Sequence, residues 1–268
     1  MKDVSLNDLL KSGAHFGHQT SRWNPKMAPY IYTVRNDIYI MDLAKTRQML
    51  LEAMSFAKSI AQRGGTILFV GTKRQAKDVV KQAAQAAGMP FIVTRWLGGT
   101  FTNFRTIQKT IKKMERYESD IATGAMEKNY TKKERLMVGR ELIKMRSLFE
   151  GIKDMKKLPD AVVILDVKYD EIALIEAQKS NVKIIGVVDT NSSPDKIDYV
   201  IPSNDDAIKV ISLIAEALSN AIIEGKKEFV PTASSVGTKV QSAEEMVPVD
   251  QAISTPETLA KVDTVKAE

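Results

Sequence analysis

The chain has 268 residues, 44% of them hydrophobic and 27% charged, which is ordinary for a globular protein with a sizeable core. It has no cysteine, which excludes disulfides, thiol catalysis and Cys-ligated metals and fits a reducing cytoplasm. Net charge is +6 but polarised: residues 1–157 carry 29 basic and 14 acidic side chains, a net of +15, and residues 158–268 carry 10 and 19, a net of −9. A basic front half suits a polyanionic partner.

The N-terminus MKDVSLNDLL is broken by Ser5, Asn7 and Asp8, so it forms no signal-peptide core, and no apolar run approaches a membrane span. Residues 15–32, HFGHQTSRWNPKMAPYIY, read as a loop punctuated by Gly17, Pro25 and Pro29. Alternation of strand and helix follows. Ile38–Met41 reads as a strand and Leu43–Gln62 as a helix with Leu43, Leu50, Met54, Ala57 and Ile60 at helical spacing. Thr66–Val70 is a strand, Lys73–Ala87 a helix stopped by Gly88 and Pro90, and Phe91–Thr94 a strand.

The rhythm then breaks. After the glycine-bearing turn WLGGTFTN (96–103), Ile107, Ile111, Met114, Tyr117 and Ile121 recur every three or four residues. A loop, TGAMEKNY, separates them from a second stripe, Val138, Leu142, Met145, Phe149 and Ile152. Thr131 and Glu134 have capping-box spacing before that stripe. Two such stripes predict an inserted antiparallel helical hairpin, a coiled coil with arms of ~27–30 Å and Lys/Arg-rich outer faces. Alternation resumes with strands at Ala161–Leu165, Lys183–Val188 and Tyr199–Ile201 and helices at Asp170–Lys179 and Asp205–Ile223. The pattern implies an α/β fold with a five-stranded parallel sheet covered on both faces. Its discontinuous domain spans 1–102 and 151–226, with the hairpin at 103–150. Residues 227–268, rich in Ser, Thr, Pro, Ala and Val, read as a disordered tail.

The turn GTKRQAKD lacks the three glycines of a dinucleotide fingerprint and the spacing of a phosphate-binding P-loop. A helix N-terminus beside Lys73 and Arg74 still suits a phosphate. Arg95 should share that sheet edge, and Trp96 is either a packing anchor or a ring for stacking on a base. Arg22, Trp23 and Lys26 form a second basic and aromatic cluster. His15 and His18, the only histidines, would share a face on a helix, but two histidines without Cys or a paired acid make a poor zinc site. Asp42, Asp166 and Asp189 end strands, where they either gather a divalent cation or cap the next element. No catalytic constellation stands out.

LLKSGAHFGHQTSRWNPKMAPYIY, DIYIMDLAKT, GTKRQAKD, RWLGGTFTN, GIKDMKKLPDAVVILD, VVDTNSSPD and YVIPSNDDAIK occur in this order. The series closely resembles the bacterial family of small-subunit ribosomal protein two over residues 3–225. The resemblance implies a flavodoxin-like three-layer α/β/α domain with the hairpin as the bacterial coiled-coil insertion. It also implies a structural, non-catalytic role on the small ribosomal subunit, at the head–body junction. The partners it implies are small-subunit rRNA and neighbouring ribosomal proteins, including the mRNA-binding ribosomal protein one, with no homo-oligomer, membrane, cofactor or metal. The expected RNA-binding residues are Arg22, Lys26, Lys73, Arg74, Arg95, Trp96, Arg105, Lys109, Lys112, Lys113, Lys132 and Lys133. Two other readings stand beside it. One is a nucleotide or flavin protein using the crevice near Thr72 and Asp189. The other is an interaction module, for which an apolar stripe left exposed on the hairpin would be the sign.

Overall fold

The structure, a computed structural model, describes residues 4–229. The expected tail from 230 to 268 lies outside the described residues. Lys227–Phe229, assigned above to that tail, are anchored: Lys227 ends a helix, Glu228 accepts from Lys58 and Gln62, and Phe229 lies against Gly64.

Helix α1 (Leu6–Ser12) opens with a Ser5/Asp8 capping box and closes on Gly13 at φ 86°. The segment expected to be a loop holds two short strands, β1 (Phe16–Gln19) and β2 (Ile31–Arg35). They flank β3 (Ile38–Met41) in an antiparallel sheet of order β1-β3-β2. The expected strand at 38–41 therefore exists, but in this small sheet. Asn36 and Asp37, both with positive φ, turn β2 back into β3.

The main sheet contains β4 (Ile67–Val70), β5 (Phe91–Ile92), β6 (Ala161–Ile164), β7 (Lys183–Val188) and β8 (Tyr199–Pro202), all parallel, in the order β5-β4-β6-β7-β8. Numbered among themselves these strands run 2-1-3-4-5, the flavodoxin-like order. Side chains alternate between two cores, as the pleat requires. Ile67, Phe69, Val163, Leu165, Ile185 and Val187 meet α2 (Leu43–Gln62), α3 (Lys77–Ala87) and α8 (Ile208–Lys227). Leu68, Val70, Val162, Ile164, Ile184 and Val188 meet Trp96, Phe101 and α7 (Glu171–Lys179) on the other face.

The insertion comprises α4 (Phe104–Ala122), a one-turn helix α5 (Ala125–Asn129) in the expected loop, and α6 (Lys132–Phe149), started by the Thr131/Glu134 capping box. Ile107, Ile111 and Met114 of α4 join Leu142, Met145 and Phe149 of α6 in the second core. Lys113 pairs with Glu141, and Glu118 with Arg146 and Lys153. Ile121 stays 49% exposed at the far end of α4. The helices are thus rooted on the sheet's core, and burial continues away from it at Val138 of α6 and Met126 of α5.

Candidate nucleic-acid interface and the sheet crevice

In an open α/β sheet, ligands bind beyond the strand C-termini where the order reverses. Here that point lies between β4 and β6. Thr72 and Lys73 follow β4; Asp166 and Asp170 follow β6. Helix α3 begins only at Lys77, four residues later than expected, because Lys73–Ala76 form a turn with the Ala76 amide donating to the Lys73 carbonyl. Neither Lys73 nor Arg74 therefore stands on a helix N-terminus, and the first turn carries Asp78 instead.

The crevice is filled by the chain's own side chains. The Lys73 ammonium donates to Asp166 Oδ2 at 2.7 Å and to Asp205 Oδ1 at 2.9 Å, and it pairs with Asp206 at 2.7 Å. Burial alone would lower its pKa. Hydrogen bonds to Asp166, Asp206 and Asp205 outweigh this and raise it, so Lys73 stays charged. The Thr72 hydroxyl and amide both donate to Asp170, at 2.6 and 3.1 Å. Asp205 is pushed up to about 7, first by burial and then by the charges of Asp166 and Asp189, with Lys73 opposing. Asp166, Asp205 and Asp206 thus hold the lysine, with Asp170 on Thr72 and Asp189 on the Asp205 amide beside them, and a phosphate entering here would meet net negative charge.

Beside them, Asp189, Asp206, His18 and Arg22 help line a cleft of about 320 Å³. Gly17 permits this approach, since a Cβ there would lie 2.5 Å from Thr190 Cγ2. The Thr190 hydroxyl then accepts from the His18 amide at 2.8 Å. His18 Nδ1 lies 3.1 Å from Asp189, which raises the imidazole pKa against burial. His15 is in the preceding turn rather than on a shared helix face, and burial lowers its pKa. Donor atoms of His18, Asp189 and Asp205 lie within 4.8 Å of one another, a spacing a metal ion could bridge, although Lys73 already holds Asp205. Asp42 is a helix cap, accepting from the amides of Ala44 and Lys45.

Two expected RNA-contact residues face inward. Lys73 is 14% exposed and committed to carboxylates, so it is a structural ion-pair partner. Trp96 is 6% exposed, edge-on to Phe101, and its indole N–H donates to Glu176. That buried carboxylate also accepts from the amides of Gly99, Phe101 and Thr102. Burial pushes the Glu176 pKa up; these hydrogen bonds prevail and hold it low. Glu176 therefore fixes the WLGGTFTN turn and leaves Arg95 exposed at its start.

The remaining cations are exposed. Lys26 pairs with Asp195, and Lys113 with Glu141. Arg22, Arg74, Arg95, Arg105, Lys109, Lys112, Lys132 and Lys133 make no ion pair among the described residues. Arg105, Lys109 and Lys112 lie four and three residues apart, so they form one stripe on α4, opposite its buried Ile107, Ile111 and Met114. Arg116 extends the stripe by a further four residues; its spacing was the available signal, though it was not among the expected residues. It also reaches Asp120, at 3.8 Å.

The family model for ribosomal protein S2 matches residues 9–225. The chain belongs to the ribosomal protein S2 family. As a member it is a structural constituent of the small ribosomal subunit and takes part in translation. The matched span includes the crevice, the Glu176-bound turn and the helical insertion. Among the described residues, no helix is long and apolar enough to cross a membrane.

Proposed function

We propose that the chain serves the small subunit as an rRNA-binding scaffold, without catalysis, in the cytoplasm. Arg22, Lys26, Arg74, Arg95, Arg105, Lys109, Lys112, Lys113, Lys132 and Lys133 neutralise phosphates and position the protein rather than read bases. The observation that carries this reading is the α4 stripe of Arg105, Lys109 and Lys112, exposed cations opposite a buried face. Neighbouring ribosomal proteins, including ribosomal protein one, complete its partners, and the chain acts as a single copy. In this reading 1–102 and 151–226 form the α/β domain, and the insertion at 103–150 extends its surface. Lys73 and Trp96 take no part in RNA contact.

The test is binding of small-subunit rRNA by the full chain through a salt series. Affinity should fall linearly with the logarithm of salt, with each deleted contact lowering the slope by ~0.7–0.9. A salt-insensitive affinity would refute the scaffold reading. The nucleotide-protein alternative is disfavoured by the filled, acidic crevice; saturable mononucleotide or flavin binding in calorimetry would revive it.

A further inference from the structure

Helix α6 carries a second apolar line, on the side away from the core. Leu136 is 60% exposed and Ile143 71%. Seven residues apart, they share one face, while buried Val138, Leu142, Met145 and Phe149 occupy the opposite one. Gly139 lies between the two exposed residues. A Cβ there would meet nothing within 4 Å, so the chain's own packing does not require glycine. A glycine inside a helix also weakens it relative to other residues. Leu136, Gly139 and Ile143 are spaced i, i+3, i+7, the seam of a heptad, and form two knobs with a hole between them.

Arg140 and Lys144 line one side of this seam, both exposed and without an ion pair among the described residues. We propose that this face of α6 docks an amphipathic helix of another protein whose apolar seam is flanked by Glu or Asp. Partner knobs would enter the hole over Gly139, and an acidic flank would meet Arg140 and Lys144. A second copy of this chain would bring like charges together. An RNA phosphate backbone would use the cations but leave Leu136 and Ile143 in water and Gly139 without a reason.

The probe is a synthetic three-heptad helix with Leu and Ile in its seam and Glu on its flanks, titrated against the full chain by fluorescence anisotropy. A control peptide carries Lys on the flanks. The acidic peptide should bind at least about tenfold more tightly than the basic one. Ile143→Ser should weaken it by a similar factor. Gly139→Gln should raise the thermal midpoint yet weaken peptide binding, an opposition that a purely structural glycine would not produce. Equal binding of the two peptides, or unchanged binding by Gly139→Gln, would overturn the proposal. So would a dimer in sedimentation equilibrium that Ile143→Ser abolishes, or an equal loss of rRNA binding in that variant.

Discussion

Lys73 and Asp166, 93 residues apart, meet at 2.7 Å where the strand order of the main sheet reverses. The place where this topology usually receives a ligand holds an internal ion pair instead. Asp205 and Asp206 close around the same ammonium, and Asp170 holds Thr72. An architecture suited to binding small phosphates has its crevice locked by its own charges, and the exposed cations of α4 lie outside it.

Removing the lysine alone leaves buried carboxylates uncompensated. Lys73→Met should destabilise the chain by about 3–5 kcal/mol in urea unfolding. The double variant Lys73→Met/Asp166→Asn should recover much of that loss, since replacing a buried pair costs less than breaking it. An undiminished unfolding midpoint in the single variant would show that the cage contributes nothing.

The Glu176 turn makes a second prediction. Its carboxylate gathers three backbone amides and the Trp96 indole, so Glu176→Ala leaves several buried donors unsatisfied. A loss of about 3 kcal/mol or more is expected in denaturant unfolding. Because Glu176 is held low in the folded state, its contribution is present above the unfolded pKa and lost as pH falls through the folded value. The wild-type advantage over Glu176→Ala should therefore shrink in acid.

The crevice has the opposite pH dependence. Asp205 is raised to about 7 and His18 is raised above its usual value. For both, the folded state holds the proton more tightly than the unfolded state. The stability they contribute is full below their unfolded pKa values and is lost as pH rises through the folded ones. Thermal midpoints should decline between about pH 4 and pH 7 through Asp205, with His18 continuing the decline above its ordinary value. Asp205→Asn should flatten that decline; an equally steep profile in the variant would assign it to other groups.

The long elements were legible because their apolar spacing and caps are local. Leu43–Gln62 and the Thr131/Glu134 box appear where the sequence places them. Strands β1 and β2 were not legible, because they are short, largely exposed and set among Gly17, Pro25 and Pro29. Their residues pair with β3 instead of filling a core, so no apolar alternation announces them. The late start of α3 was hidden because Ala76 caps it without a side-chain hydrogen bond. Lys73 read as a phosphate ligand because its partners, Asp166, Asp205 and Asp206, are brought to it only by the parallel crossovers. The exposed seam of Leu136 and Ile143 on α6 was not read from the sequence, because only the packing of Leu142 and Met145 shows which apolar line is left over.

The surface stripe gives the fourth prediction. Arg105→Ala, Lys109→Ala and Lys112→Ala should each leave stability within about 0.5 kcal/mol, since these are exposed positions without ion-pair partners. Together they should weaken rRNA binding strongly at low salt and little at high salt.

The most direct measurement is the slope of log affinity against log salt for small-subunit rRNA, compared among wild type, the triple α4 variant and Lys73→Met/Asp166→Asn. The triple variant should lose ~2–3 from the slope, and the crevice variant should keep the wild-type value. A crevice variant that loses slope while the triple variant keeps it would place the RNA phosphate at Lys73 and contradict the account.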